Sequence, residues 1–80
     1  MKQNAWHHAI VEHLRAAGGG PLKVSQIWQR MAETGFQHKS KHPRSTLGAR
    51  IAELAQARQI DRVGPATYRL SQRAQREASA

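Results

Sequence analysis

The chain has 80 residues, with 13 Lys and Arg against five Asp and Glu, a formal net charge of +8, and no cysteine. A chain this short makes one domain that buries only about 60–65% of the surface it exposes when unfolded, and neither disulfides nor thiolate metal sites supplement its core. Charge this lopsided costs self-repulsion on folding and points to a polyanionic partner, nucleic acid first.

Residues 1–3 are expected to fray. Asn4 suits an N-cap, and Trp6, Ala9, Ile10, His13, Leu14 and Ala17 then recur at helical spacing as one face. Gly18, Gly19 and Gly20 end that helix, either as a hinge or as a C-terminal cap; Pro21 and Leu22 follow at once and favour the cap. Leu22-Lys23-Val24 is a short extended piece able to pair in a small sheet. Ser25 is expected to cap a second helix that buries Ile27, Trp28, Met31 and Ala32 and closes at Thr34-Gly35. Phe36 anchors the following loop, and residues 37–42 are polar and basic.

The third helix is the element around which the rest is arranged. Pro43 fits a first helical position, because its missing N–H is unsatisfied there in any case. Leu47, Ile51, Leu54 and Ala55 form an apolar stripe. Winding at 100° per residue puts Ser45, Ala49, Ala52 and Gln56 on the opposite side, with Arg44 and Arg50 on the flanks. No acid stands between Glu33 and Glu53, whereas Lys39, Lys41, Arg44 and Arg50 all fall in that interval. The positive field therefore gathers at the start of this helix. After Arg58 the pattern changes to period two: residues 59–63 and 67–70 are strand candidates around a Gly64-Pro65-Ala66 turn. Ile60 and Val63 cannot share a face of a regular strand, so a bulge is expected. Residues 71–80 hold no large apolar side chain and read as a polar, disordered tail.

Helix, short strand, helix, loop, helix and hairpin make a mainly α fold with a small β-hairpin: a winged helix-turn-helix of three helices, a short strand and a C-terminal two-stranded wing over residues 4–70. Such folds present the third helix to the major groove. The residues Trp6 with Ala9-Ile10, Pro21 to Trp28, Lys41 to Leu47, and Arg62 to Leu70 together resemble the HARE-HTH winged-helix domain, over essentially the whole fold. That family occurs in restriction-type endonucleases, chromatin-associated proteins and an RNA polymerase subunit. The resemblance implies DNA binding, or docking within DNA-handling assemblies, by a free-standing binder. The chain departs from the family at Ala66, where glycine is common, which implies a slightly different turn.

Arg44, Ser45 and Arg50 are the candidates for direct DNA contact, since arginine grips guanine or phosphate in a bidentate way and serine donates to phosphate. Lys39, Ser40, Lys41, Arg62 and Arg69 complete the expected set as loop and wing contacts to the backbone. The outer face of Ser45, Gly48, Ala49 and Ala52 lacks long hydrogen-bonding side chains, so close approach with weak base reading is expected. The five histidines form no metal-ligand spacing, and neither metal nor cofactor is expected. His13 reads as a core or boundary residue, and His38 and His42 beside the basic loop are candidates for strengthening binding as pH falls. Trp6 and Trp28 lie on core faces, which favours packing over base stacking. With no catalytic triad, carboxylate pair or phosphate-cradling loop, the chain does not read as an enzyme.

The resulting expectation is a protein that binds double-stranded DNA, regulatory or nucleoid-associated, and cytoplasmic. No apolar run reaches the roughly 18 residues of a membrane helix and no signal sequence is evident. The alternative is a module that docks onto an acidic protein partner.

Overall fold

The computed structural model describes residues 3–72. Its first helix, α1 (Ala5–Ala16), starts where Asn4 adopts an extended conformation and its Oδ1 accepts from the backbone N–H groups of Trp6 and His7 at 3.0 and 3.2 Å. The reciprocal bond comes from an unexpected residue: the Asn4 N–H donates to His7 Nδ1 at 2.9 Å. Histidine thus occupies the place that Glu or Gln takes in the usual capping box.

The junction that opens the second helix is tighter than the sequence suggests. β1 (Leu22–Lys23) runs straight into α2 (Val24–Glu33). The N-cap is Lys23, whose N–H donates to Gln26 Oε1 at 2.8 Å, and Ser25 sits inside the first turn instead of capping it. The shift has a tertiary cause. Val24 N–H donates to the Ala66 carbonyl at 2.8 Å, so the wing turn takes up the first free donor and fixes where the helix begins. Beyond the loop, α3 (Pro43–Gln56) opens with Pro43 in its first turn, as expected.

Helices α1, α2 and α3 all end in the same hydrogen-bonded turn, in which the N–H of the second residue past the cap reaches back five positions and that of the first reaches back three. In α1 these bonds are Gly19 N–H to Leu14 O (2.8 Å) and Gly18 N–H to Arg15 O (3.0 Å). In α2 they are Phe36 to Met31 (3.1 Å) and Gly35 to Ala32 (3.1 Å); in α3, Gln59 to Leu54 (3.0 Å) and Arg58 to Ala55 (3.1 Å). The motif needs a left-handed residue. Gly18 and Gly35 supply it at φ 73° and 70°, but α3 uses Arg58 at φ 60°. The glycine run after α1 is therefore a cap, and a close-packed one. A Cβ on Gly20 would lie 3.0 Å from the Arg69 Cα, and the Gly19 carbonyl accepts from Leu70 N–H at 2.7 Å.

β2 (Ile60–Gly64) and β3 (Thr67–Leu70) form the wing, and β1 adds to its other side, giving an antiparallel sheet of order β1-β3-β2. The expected bulge is present. Register slips between Arg62, opposite Tyr68, and Gly64, opposite Thr67, so that Ile60 is buried while Val63 stands 49% exposed. Pairing extends past the wing, with Ser71 N–H donating to Gln59 O at 3.1 Å. The polar tail expected from residue 71 lies outside the described residues from residue 73 onward.

The core joins every element: Ile10 and Leu14 from α1, Leu22 from β1, Ile27 and Met31 from α2, Leu47, Ile51 and Leu54 from α3, with Ile60 and Leu70 from the wing. Each such side chain contributes about 1.5–3 kcal/mol on burial, so this one cluster drives folding. Trp6, Trp28 and Phe36 pack against it, half-buried, and Phe36 meets the Trp6 ring edge-on at 5.0 Å, which ties the loop after α2 down as expected.

Candidate nucleic-acid interface

The core stripe of α3 fixes what its other sides present. With Leu47, Ile51 and Leu54 buried, Ser45, Gly48, Ala49, Ala52 and Gln56 are all exposed, as winding predicts. No side chain on the first four exceeds a hydroxymethyl group, so a flat or convex polyanion meets this face nearly at backbone level.

The entry to α3 is held by hydroxyls. Ser40 Oγ accepts from His42 N–H at 3.2 Å and shares a 2.6 Å hydrogen bond with Thr46 Oγ1. Ser40, expected as a contact, is thus half-buried and spent largely on ordering the loop. The residues on either side of it, Lys39 and Lys41, are exposed, as are Arg44 and Ser45 one turn further on. These four sit together at the N-terminal end of α3, where the helix dipole adds to the positive field.

Arg50 is placed differently. Its Nε lies 3.0 Å from Glu53 Oε1, and the same oxygen is 2.9 Å from His7 Nε2. Because His7 Nδ1 accepts the Asn4 N–H, the proton of the neutral ring is on Nε2, which donates to the Glu53 carboxylate. His7 is buried at 2% exposure. It links the cap of α1 to the flank of α3, and Glu53 in turn steers Arg50 along that flank. Arg50 is half-buried and does not join the Lys39–Ser45 group. The sequence carried one sign of this bridge, the Asn4-to-His7 capping-box spacing; the Glu53 half depends on helix packing and is not visible locally.

The wing arginines diverge as well. Arg62 lies opposite Tyr68 and Arg69 opposite Asp61. Since neighbours along a strand face opposite ways, Arg62 and Arg69 lie on opposite faces of the hairpin. Arg62 Nε donates to the Gly64 carbonyl at 3.3 Å, which braces the bulge, and both side chains are exposed.

The pKa of His13 is lowered from the ordinary histidine value. Burial lowers it first and the nearby Arg30 charge second, against an opposing pull from Glu12. Among the described residues no group of three His, Asp or Glu side chains comes together as a metal site. Trp28 has an aspect that sequence reasoning missed. Although packed on the core, it lines two open clefts, one of about 240 Å³ with Val24, Ser25, Arg44 and Leu47, the other of about 220 Å³ with Met31, Ala32, Phe36 and His38. Helical periodicity reports which face of a residue is covered, and cannot report that a wide ring is covered only in part.

The family model of the HARE-HTH domain, described as the helix-turn-helix domain of ASXL and restriction endonuclease proteins among others, matches residues 5–72. No curated protein and no solved structure matches the chain at a significant level. Among the described residues no helix is long and apolar enough to cross a membrane.

Proposed function

This chain belongs to the HARE-HTH family of helix-turn-helix DNA-binding domains, and from that premise we propose that it binds double-stranded DNA through the outer face of α3, as a regulatory or nucleoid-associated protein of the cytoplasm. One observation carries the reading. The bare exposed face of Ser45, Gly48, Ala49 and Ala52 adjoins the exposed cations Lys39, Lys41 and Arg44, in a stretch of chain without a single acid. A face this short of long side chains seats closely in a groove and reads few base edges, so phosphate contacts dominate affinity and sequence preference is modest. Ser45 donates to a phosphate at the helix start, Arg62 reaches the backbone from the wing, and Arg50 and Arg69, on other faces, add charge more than contacts. The family is one of binding domains and not typically enzymatic, and the chain acts without catalysis.

Titration of a labelled mixed-sequence duplex at graded salt tests this. With four to six phosphates engaged, the logarithm of the binding constant falls with the logarithm of salt at a slope of about −4 to −5. Lys41→Ala/Arg44→Ala shallows the slope by about two units. Failure to bind at low salt contradicts the proposal. The same bareness of α3 favours the second reading, docking onto an acidic protein surface, which a duplex-negative result combined with capture of an acidic partner supports.

A further inference from the structure

The cleft between the start of α2 and the start of α3 is built from an unusual pairing of groups. Its walls are the Trp28 indole and the aliphatic side chains of Val24 and Leu47, and the exposed Arg44 and Ser25 complete its lining. The volume of about 240 Å³ is below that of a pocket for a drug-sized molecule and suits one flat ring system. Arg44 belongs both to this cleft and to the cationic group at the entry of α3, so the cleft opens beside the face on which the duplex is seated.

We propose that this cleft receives an unpaired nucleobase, stacked against Trp28 with its phosphate held by Arg44. The proposal rests on the DNA-binding reading above and specifies the form of DNA that the domain prefers: single-stranded, bulged or otherwise unpaired at one position.

The chemistry selects this occupant over others. An aromatic wall offers a stacking surface to any base, and a nearby guanidinium adds attraction to the ring and to its phosphate. A base inside a perfect duplex has both faces covered by its neighbours, so only an extruded or unpaired one presents a free face, and an already unpaired base costs least to extrude. A methylated ammonium, the other common guest of aromatic walls, is disfavoured by Arg44 in the lining and by the net charge of +8. The cleft on the other side along α2, lined by Trp28, Met31, Ala32, Phe36 and His38, is also free of acids. It gives an adjoining base a second place beside the same indole, with His38 within 5.3 Å of Trp6. Neither cleft is lined by a group already assigned to duplex contact except Arg44.

The test uses the full chain with Trp6→Phe, which leaves Trp28 as the sole indole of the two in the sequence. The probes are a short mixed-sequence duplex and the same duplex carrying one extrahelical adenine. The bulged duplex is expected to bind about tenfold more tightly and to quench Trp28 emission, the lower half of the range for one base stacked on an aromatic ring. Trp28→Leu removes that gain and leaves perfect-duplex binding in place. Ser25→Phe fills the cleft from an exposed position and has the same effect without disturbing the core, so the test survives a folding defect in the tryptophan variant. Equal affinity for both duplexes, or a gain that survives both variants, overturns the proposal while leaving duplex binding intact. Absence of binding to either duplex fells both readings. Quenching of Trp28 by an acidic, leucine-containing peptide and not by bulged DNA makes the cleft a protein-docking surface and also overturns the proposal.

Discussion

Replacing Arg58 by glycine stabilises the domain, although it deletes a side chain and touches nothing in the core. Arg58 occupies the left-handed position of the turn that ends α3, at φ 60°, where the matching positions of α1 and α2 carry Gly18 and Gly35. Left-handed backbone costs a residue with a Cβ about 1–2 kcal/mol. Glycine relieves this but loosens the unfolded chain, returning about 0.4–1 kcal/mol of the gain. The difference is a net stabilisation of about 0.5–1 kcal/mol, which in a domain of this size raises the midpoint of thermal unfolding by about 2–8 °C. Arg58 is exposed, so loss of its charge is a minor effect. Arg58→Ala separates the two contributions, because it removes the same charge and keeps the same backbone cost. Thermal and urea melts followed by circular dichroism should show a gain for Arg58→Gly and almost none for Arg58→Ala. Equal gains for the two variants would attribute the effect to charge and refute the backbone argument. Ala66, at φ 51° in the wing turn, repeats the experiment independently, and Ala66→Gly should gain a similar amount.

Gly20→Ala should destabilise by about 2 kcal/mol or more, since the new Cβ meets β3 backbone at 3.0 Å on a residue with φ 97°; a denaturant midpoint equal to that of the parent contradicts the close packing of the glycine turn. Gly48→Ala should stabilise α3 by about 0.8–1 kcal/mol, because the glycine is mid-helix and an added Cβ meets nothing within 4 Å. His13 makes stability pH-dependent with a definite sign. Its folded pKa lies below the ordinary value, so the neutral form is favoured on folding; the associated stability is full above the unfolded pKa of about 6.5 and is lost as pH falls through the lower folded value. His13→Gln should flatten that part of the profile in melts between mildly alkaline and mildly acidic pH, and an unchanged profile assigns the dependence elsewhere.

Much of the fold was legible because its signals are local. Asn4, the terminal glycines, Pro43 and the apolar stripe of α3 each act within a turn or two of chain, and the mismatch between Ile60 and Val63 announced the bulge by simple alternation. What was not legible depends on the far side of a contact. Lys23 rather than Ser25 caps α2 because the Ala66 carbonyl arrives from the wing. His7 lies buried because Glu53, distant in sequence, meets it across α1 and α3, and that bridge also takes Arg50 aside. Arg62 and Arg69 look alike in sequence, yet strand alternation sends them to opposite faces. The clefts beside Trp28 arise from the way α2, α3 and the basic loop meet, and no periodicity encodes them.

The central claim is that the outer face of α3 and the basic loop before it receive the duplex. Amide chemical-shift mapping of the isotopically labelled chain, titrated with a mixed-sequence duplex at low salt, tests it most directly. The account predicts that the largest shifts fall on residues 39–52 and on the tip of the wing, with α1 nearly silent. Shifts concentrated on α1, with residues 39–52 unmoved, would contradict it.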